Sequence, residues 1–297
     1  MGRSGDIMAA IDVARNLPFW RGKVEPKPVK GGITNANFMV EDATGRYFVR
    51  VGADIPIHGV MRFNEMAASR AAAACGLSPE VVHQAPGALV FRYIEAKTLS
   101  AEDIRPRAML ERILPLLRTC HREMPKEVRG PVLIFWVFHV VRDYAHTLKE
   151  GKSQHLADIP ALLAMAAELE KAVGPVDIVF GHNDLLPSNF MDDGKRLWLI
   201  DWDYAGFNSP LFDLSNLASN NEVSEADERW LLESYFEKPL TSQLWRSYRA
   251  MKCASLLRET MWSMVQEIHS ELDFDYPAYT ADYRGRLERM YAEFKGS

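Results

Sequence analysis

Cysteine is scarce in this chain, and so are the marks of secreted, membrane-spanning or nucleic-acid-coating proteins. Its 3 cysteines among 297 residues, Cys75, Cys120 and Cys253, are scattered through helix-like segments without metal-ligand spacing. That excludes a disulfide scaffold and predicts reduced thiols in a cytosolic core. Long apolar runs are also missing. The strongest, Val132 to Val141, contains His139 and is about half the length a membrane span needs. The stretch MGRSGDIMAAIDVARNL has no continuous apolar core and carries Asp6 and Asp12, so no signal peptide and a cytoplasmic location are expected. Positive charge is not in surplus: 35 Lys and Arg face 40 Asp and Glu, a net charge of -5. This argues against a general nucleic-acid binder and suits a cationic substrate. No internal repeat or low-complexity segment stands out. With 47% hydrophobic and 25% charged residues, the composition is that of a globular protein of one large domain or two lobes.

What is present is concentrated between Phe180 and Pro210, FGHNDLLPSNFMDDGKRLWLIDWDYAGFNSP. An apolar run ends in His182, Asn183 and Asp184; Asn189 follows five residues later, and Asp201 closes a second apolar run, Leu197 to Ile200. Polar groups at the ends of β-like runs are placed to share one site. An aspartate, an asparagine and a second aspartate in this order match metal-assisted phosphoryl transfer. One carboxylate, Asp184, orients the acceptor hydroxyl and takes its proton late, while the oxygens of Asn189 and Asp201 hold Mg²⁺ on the nucleotide phosphates. His182 is expected to brace the loop by hydrogen bonds more than to transfer protons.

Ahead of this motif, a short helix (Met8 to Asn16) and a loop lead into VKGGITNANFMVEDATGRYFVRV, where strands are expected over Asn37 to Asp42 and Arg46 to Val51. The turn at Gly31-Gly32, with Thr34 and Asn35, is either an ordinary tight turn or a set of donors that closes over phosphates. Arg50, on a strand-like run, can reach a phosphate or face solvent. Val60 to Cys75 reads as an Ala-rich helix capped by Gly76, and its Glu65 is either a partner of Arg50 or an exposed carboxylate. Two more strands, Glu80 to Gln84 and Ala88 to Tyr93, lead to a connector containing Arg92, Tyr93 and Ile94, whose backbone could meet an adenine edge. The division expected is a nucleotide-binding lobe over residues 1–95 and a catalytic, substrate-binding lobe over residues 96–297.

After Ser100 the pattern is helical: Ala101 to His121, Pro131 to Lys149, Ala157 to Val173, and, beyond the central motif, Pro210 to Ser219, Ser224 to Phe236, Ser242 to Ile268 and Tyr276 to Lys295. Trp262, Tyr276, Tyr279 and Tyr283 offer aromatic faces for an ammonium, or fill the core between helices. Asp203 and Tyr204 follow the second aspartate closely.

The set His182, Asp184, Asn189 and Asp201, with IDWDYAGFNSPLFDLSN after it, GGITNANF before it and FVRV around Arg50, resembles the choline/ethanolamine kinase family, within the aminoglycoside-phosphotransferase and protein-kinase-like group. The resemblance spans roughly residues 30–290. It implies an α+β two-lobe protein-kinase-like fold, with a small antiparallel-sheet lobe bearing one helix and a large, mainly helical lobe. It implies ATP and Mg²⁺, with Asp184 as base, Asn189 and Asp201 on the metal, Arg50 on the nucleotide phosphates and Arg92 to Glu95 at the adenine hinge. The implied reaction phosphorylates choline or ethanolamine, with an amine head facing the positions of Trp262 and Asp203. The same fold also serves other small alcohols, or binding without catalysis. One position departs from the family: Glu259 stands where a second aromatic is common, and an acid there suits an ammonium that donates hydrogen bonds, or a bulkier amine, as well as choline.

Overall fold

The structure, a computed structural model, describes residues 4–29 and 35–296. Gly31, Gly32 and Thr34, expected at the phosphates, lie outside the described residues. Helix α1 (Ser4–Arg15) is followed by β1 (Lys27–Pro28), β2 (Ala36–Asp42), β3 (Gly45–Val51), helix α2 (Arg62–Ala74), β4 (Val81–Ala85) and β5 (Ala88–Arg92). The strands form one antiparallel sheet in the order β1-β2-β3-β5-β4. Alternation decides which face is covered: Phe38, Val40, Tyr47 and Val49 are buried and pack with Ala10 and Ala14 of α1, with Leu17 just after it and with Val90. Helix α2 stops where Gly76 enters the left-handed region (φ +71°), and the Leu77 N–H returns to the Ala72 carbonyl at 2.8 Å.

From β6 (Lys97–Thr98) onward the chain is mainly helical: α3 (Ala101–Ile104), α4 (Arg107–Arg122), α5 (Met124–Glu127), α6 (Val137–Glu150) and α7 (Ile159–Val173). Four short strands follow, β7 (Val179–Gly181), β8 (Phe190–Asp192), β9 (Leu197–Leu199) and β10 (Gly206–Asn208), and then α8 (Pro210–Asn221), α9 (Glu225–Phe236), α10 (Ser242–His269) and α11 (Tyr276–Lys295). Helix α10 is buried on all sides from Cys253 to Gln266 and packs against α6, α7, α8 and α11, so it forms the axis of this lobe. No helix among the described residues is long and apolar enough to cross a membrane. The three cysteines are free thiols.

Two expected helices differ. The one expected over Ala101 to His121 breaks at Pro106, which lacks an N–H to continue the helix and turns extended (ψ 136°) before α4 begins. The one expected from Pro131 begins only at Val137. Residues 131–136 run extended instead, and the Phe135 N–H donates to the Phe207 carbonyl at 2.9 Å while the Phe207 N–H donates to Leu133 at 3.0 Å. This third strand-like segment lies beside the β7–β10 pair.

Asn64 of α2 ties the two lobes here, donating to the Ala205 carbonyl at 2.8 Å and accepting from the Leu133 N–H at 2.9 Å. A second tie is His58, buried in a 3-10 turn (Pro56–His58), with Nδ1 3.1 Å from the Tyr144 hydroxyl and its ring 5.7 Å from that of Trp262. Burial, with the nearby charge of Arg258 adding to it, pushes the imidazole down to about 4.

Two predictions follow from these contacts. At Gly206 a Cβ would stand 2.7 Å from the Leu133 carbonyl oxygen; Gly206→Ala therefore destabilises the protein by about 1–3 kcal/mol, and a urea midpoint equal to that of the parent chain refutes the close packing. His58 stays neutral in the fold but takes a proton in the unfolded chain below its ordinary value of 6.5. Its contribution, on the order of 3 kcal/mol, is present above that value and is lost as pH falls through the interval down to about 4. Denaturation curves across that interval should lose most of this acid sensitivity in His58→Gln.

Candidate active site

The loop that carries Asp184 is held from below by α8. Asp213, fully buried, accepts the backbone N–H groups of His182 and Asn183, each at 2.8 Å, and lies 2.9 Å from His121 Nε2. Burial works to raise its carboxyl, and His121, with His182 and its backbone N–H, more than offsets this, leaving it below the ordinary range. One turn on, Asn216 accepts the Leu185 N–H at 2.6 Å. Asn183 sits in the left-handed region (φ +66°) and gives its amide N–H groups to the Tyr204 and Gly206 carbonyls. His182 Nε2 donates to the Ile200 carbonyl at 2.9 Å, and its Nδ1 accepts the Asp184 N–H at 3.3 Å. Both ring nitrogens are therefore spent on the loop. Cys120, His121 and Asp213 come within metal-ligand spacing of one another, but the thiol bonds to the Phe180 carbonyl and His121 bridges Asp213 and the Tyr235 hydroxyl.

Asp184, Asn189 and Asp201 meet on one wall of a cleft of about 470 Å³ between the lobes. The Asn189 amide nitrogen donates to the Asp184 carbonyl at 2.8 Å, which turns its amide oxygen the other way. Asp201 has a left-handed backbone (φ +68°), uncommon for a residue other than glycine. Its Oδ1 lies 2.9 Å from Arg50 Nη1, which also reaches Glu65 at 2.8 Å and Asp203 at 3.3 Å. Arg62 adds a second guanidinium, 3.0 Å from Asp203. Three carboxylates, Glu65, Asp201 and Asp203, thus face two cations, a surplus of one negative charge. Against the cost of burial, Arg50 holds Asp201 below its ordinary value, while burial and the charge of Asp201 push Asp203 up to about 6. A hard divalent cation fits this donor set, and Asn189 and Asp201 are the oxygens that could hold it. Burial pushes Asp184 up to about 8, with Arg258 opposing and Glu259, Asp201 and Asp203 adding.

The other expected residues divide. Arg50, Arg92, Tyr93 and Ile94 border the cleft on the sheet side, and Tyr204 and Trp262 border it on the helical side. Glu65 reaches it through Arg50, and Asn35 donates to Asp203 at 3.0 Å. Asp203, expected at an amine head, borders the cleft but bonds to Asn35, Arg50 and Arg62, among the groups of the sheet lobe. Glu259 and Tyr276 are not on the cleft wall. Both Glu259 oxygens are engaged, one by Arg258 at 2.7 Å and the other by the Tyr279 hydroxyl at 2.8 Å. Tyr276 packs behind Trp262 and shares a hydrogen bond with Ser270. Arg62, Asp213 and Arg258 are absent from the expectations. The available signal was a charge inside an apolar helical stretch: Arg258 in ASLLRETMW and Asp213 in PLFDLSN.

Comparison with known proteins matches these features to a family. The residue pattern described as choline/ethanolamine kinase fits residues 27–230. Ethanolamine kinase 2 of Mus musculus is 28% identical over 308 residues, covering 91% of this chain and 77% of its own length. Protein LicA of Haemophilus influenzae is 26% identical over 276 residues, covering 89% and 78%. Among solved structures, a choline/ethanolamine kinase family protein from Mesorhizobium loti superposes with a TM-score of 0.76 at 28% identity, covering 94% of each chain. The fold is accordingly the two-lobe, kinase-like one, and the enzyme class is phosphotransferase with an alcohol as acceptor. The match over most of the length, in sequence and in fold, makes this chain a member of the choline/ethanolamine kinase family.

Proposed function

We propose that the chain is an ATP- and Mg²⁺-dependent cytoplasmic kinase that phosphorylates the hydroxyl of a small amino alcohol, of ethanolamine type in preference to choline. The observation that carries this reading is the shared cleft, with Arg92 to Ile94 at one end, Asp184, Asn189 and Asp201 in the middle, and Tyr204 and Trp262 at the other. A metal ion on Asn189 and Asp201 supplies charge neutralisation for the transferred phosphoryl group. Arg50, oriented by Glu65, reaches toward the nucleotide phosphates. Asp184 orients the acceptor hydroxyl and receives its proton late in transfer. A divalent cation on Asn189 and Asp201, together with a cationic acceptor, would counter the rise that burial imposes on its carboxyl. The preference against a quaternary ammonium rests on Tyr204, whose ring already has the Arg258 guanidinium 4.4 Å from its centroid. That face is taken by the protein's own cation, which leaves Trp262 as the single aromatic wall of the pair.

Asp184→Asn should lower kcat by about 10²–10⁴-fold while calorimetric ATP affinity stays within a few-fold, and Asp201→Asn should raise the Mg²⁺ concentration needed for half-maximal rate. Near-parental turnover in the first variant would remove Asp184 from the reaction. ADP release with matched ethanolamine and choline should favour ethanolamine in kcat/KM; a choline preference shows that Trp262 alone serves the cation and overturns the reading of Tyr204.

A further inference from the structure

Arg50 carries more contacts than one arginine can keep while it serves a nucleotide. Its Nη1 alone meets Glu65 Oε1 at 2.8 Å, Asp201 Oδ1 at 2.9 Å and Asp203 Oδ1 at 3.3 Å. Glu65 and Asp203 are 1% and 3% exposed, so neither can turn to water instead. A phosphate that draws on Arg50 competes with these contacts directly. Without a second cation the two buried acids would then stand beside one another uncompensated, which is costly.

Arg62, the first residue of α2, is placed to be that cation. Its Nη1 bonds to the other oxygen of Glu65, Oε2, and reaches the same Asp203 oxygen that Arg50 contacts, at 3.0 Å. Its own position is fixed from outside the cluster: Nε donates to the Ala53 carbonyl at 2.9 Å, and its backbone N–H donates to Asp54 Oδ1 at 2.7 Å. Both partners lie in the loop that follows β3, the strand of Arg50. Arg62 itself stands outside the cleft lining. Resting on the reading of Arg50 as a phosphate group, we infer that Arg62 is a positioning residue for nucleotide binding. It keeps Glu65 and Asp203 neutralised and in place, and so frees Arg50 for the phosphates. The sign of its effect follows from charge. With Arg62 removed, three acids face Arg50 alone. A bare cation is then attracted at least as strongly as before, whereas Arg50 is held more tightly by the acids and a polyanionic nucleotide binds more weakly.

Calorimetry on the full chain, with ATP in the presence and absence of Mg²⁺ and with Mg²⁺ alone, separates this role from a structural one. Arg62→Gln should lower ATP affinity by at least about fivefold, while Mg²⁺ alone binds no more weakly than to the parent chain. In steady-state turnover the KM of the acceptor should stay within about twofold. Arg62→Lys keeps the charge and gives up the Ala53 contact, and its ATP affinity should fall by less than about fivefold. A residue that only stabilised the fold would weaken both ligands together, so a loss of Mg²⁺ binding alongside ATP in Arg62→Gln overturns the inference. So does parental ATP affinity in that variant, which leaves the kinase reading standing. Should Arg62→Gln not fold, Arg62→Lys decides: retained affinity upholds the role of the charge, and a loss of about fivefold or more in a folded chain overturns it. A parent chain that binds no ATP in either condition overturns the nucleotide reading itself.

Discussion

The carboxylate of Asp213 takes the N–H groups of two successive residues, His182 and Asn183, and a third contact from His121, all out of water. Those bonds fix the left-handed turn at Asn183, and the turn sets the direction in which Asp184 leaves the loop. A buried acid with three hydrogen-bonding partners stays charged and stays put, whereas any one partner removed would leave a costly orphan. Asn216 repeats the device one turn along α8 on the next loop residue, Leu185. The geometry of the reacting end is thus set by a helix that contributes no group to the cleft wall.

Arginines organise both ends of the cleft. Arg50 gathers Glu65, Asp201 and Asp203 at the sheet side, and Arg258 gathers Glu259 and Asp184 at the helical side. Buried ion pairs of this kind add little net stability, since desolvation offsets the attraction. Their value lies in fixing where charge sits before a substrate arrives. Burial first, and the neighbouring acids after it, raise Asp184 and Asp203, and the arginines oppose that rise.

Much of this was legible in the residues. The alternation at Phe38 to Val40 and Tyr47 to Val49 announced the hairpin, Gly76 announced the end of α2, and the spacing of Asp184, Asn189 and Asp201 announced the shared site, because local periodicity and turn chemistry act through near neighbours. What escaped depends on distant partners. Residues 131–136 look helical by composition and run extended because Phe207 offers them a strand edge. Glu259 looks like a ligand for an amine until Tyr279, 20 residues on, and Arg258 are seen to occupy both of its oxygens. Asp213 reads as one more helix acid, and nothing within its own turn reveals the loop above it.

Several supports of the Asp184 loop come later in the chain than the loop itself. Asp184, Asn189 and Asp201 precede Gly206, Asp213 and Asn216, and Arg258 and Trp262 follow by dozens of residues more. A chain still being synthesised, when it has just released Asp201, therefore holds every group proposed to act on phosphate but lacks Asp213, Asn216 and Arg258, which fix the loop and brace Asp184. The loop is fixed when α8 docks, through Asp213 and Asn216, and Asp184 is braced when α10 adds Arg258, contacts between distant parts of the sequence. The cleft wall is completed in this way only by contacts of long sequence separation, the kind that are slow to form in folding.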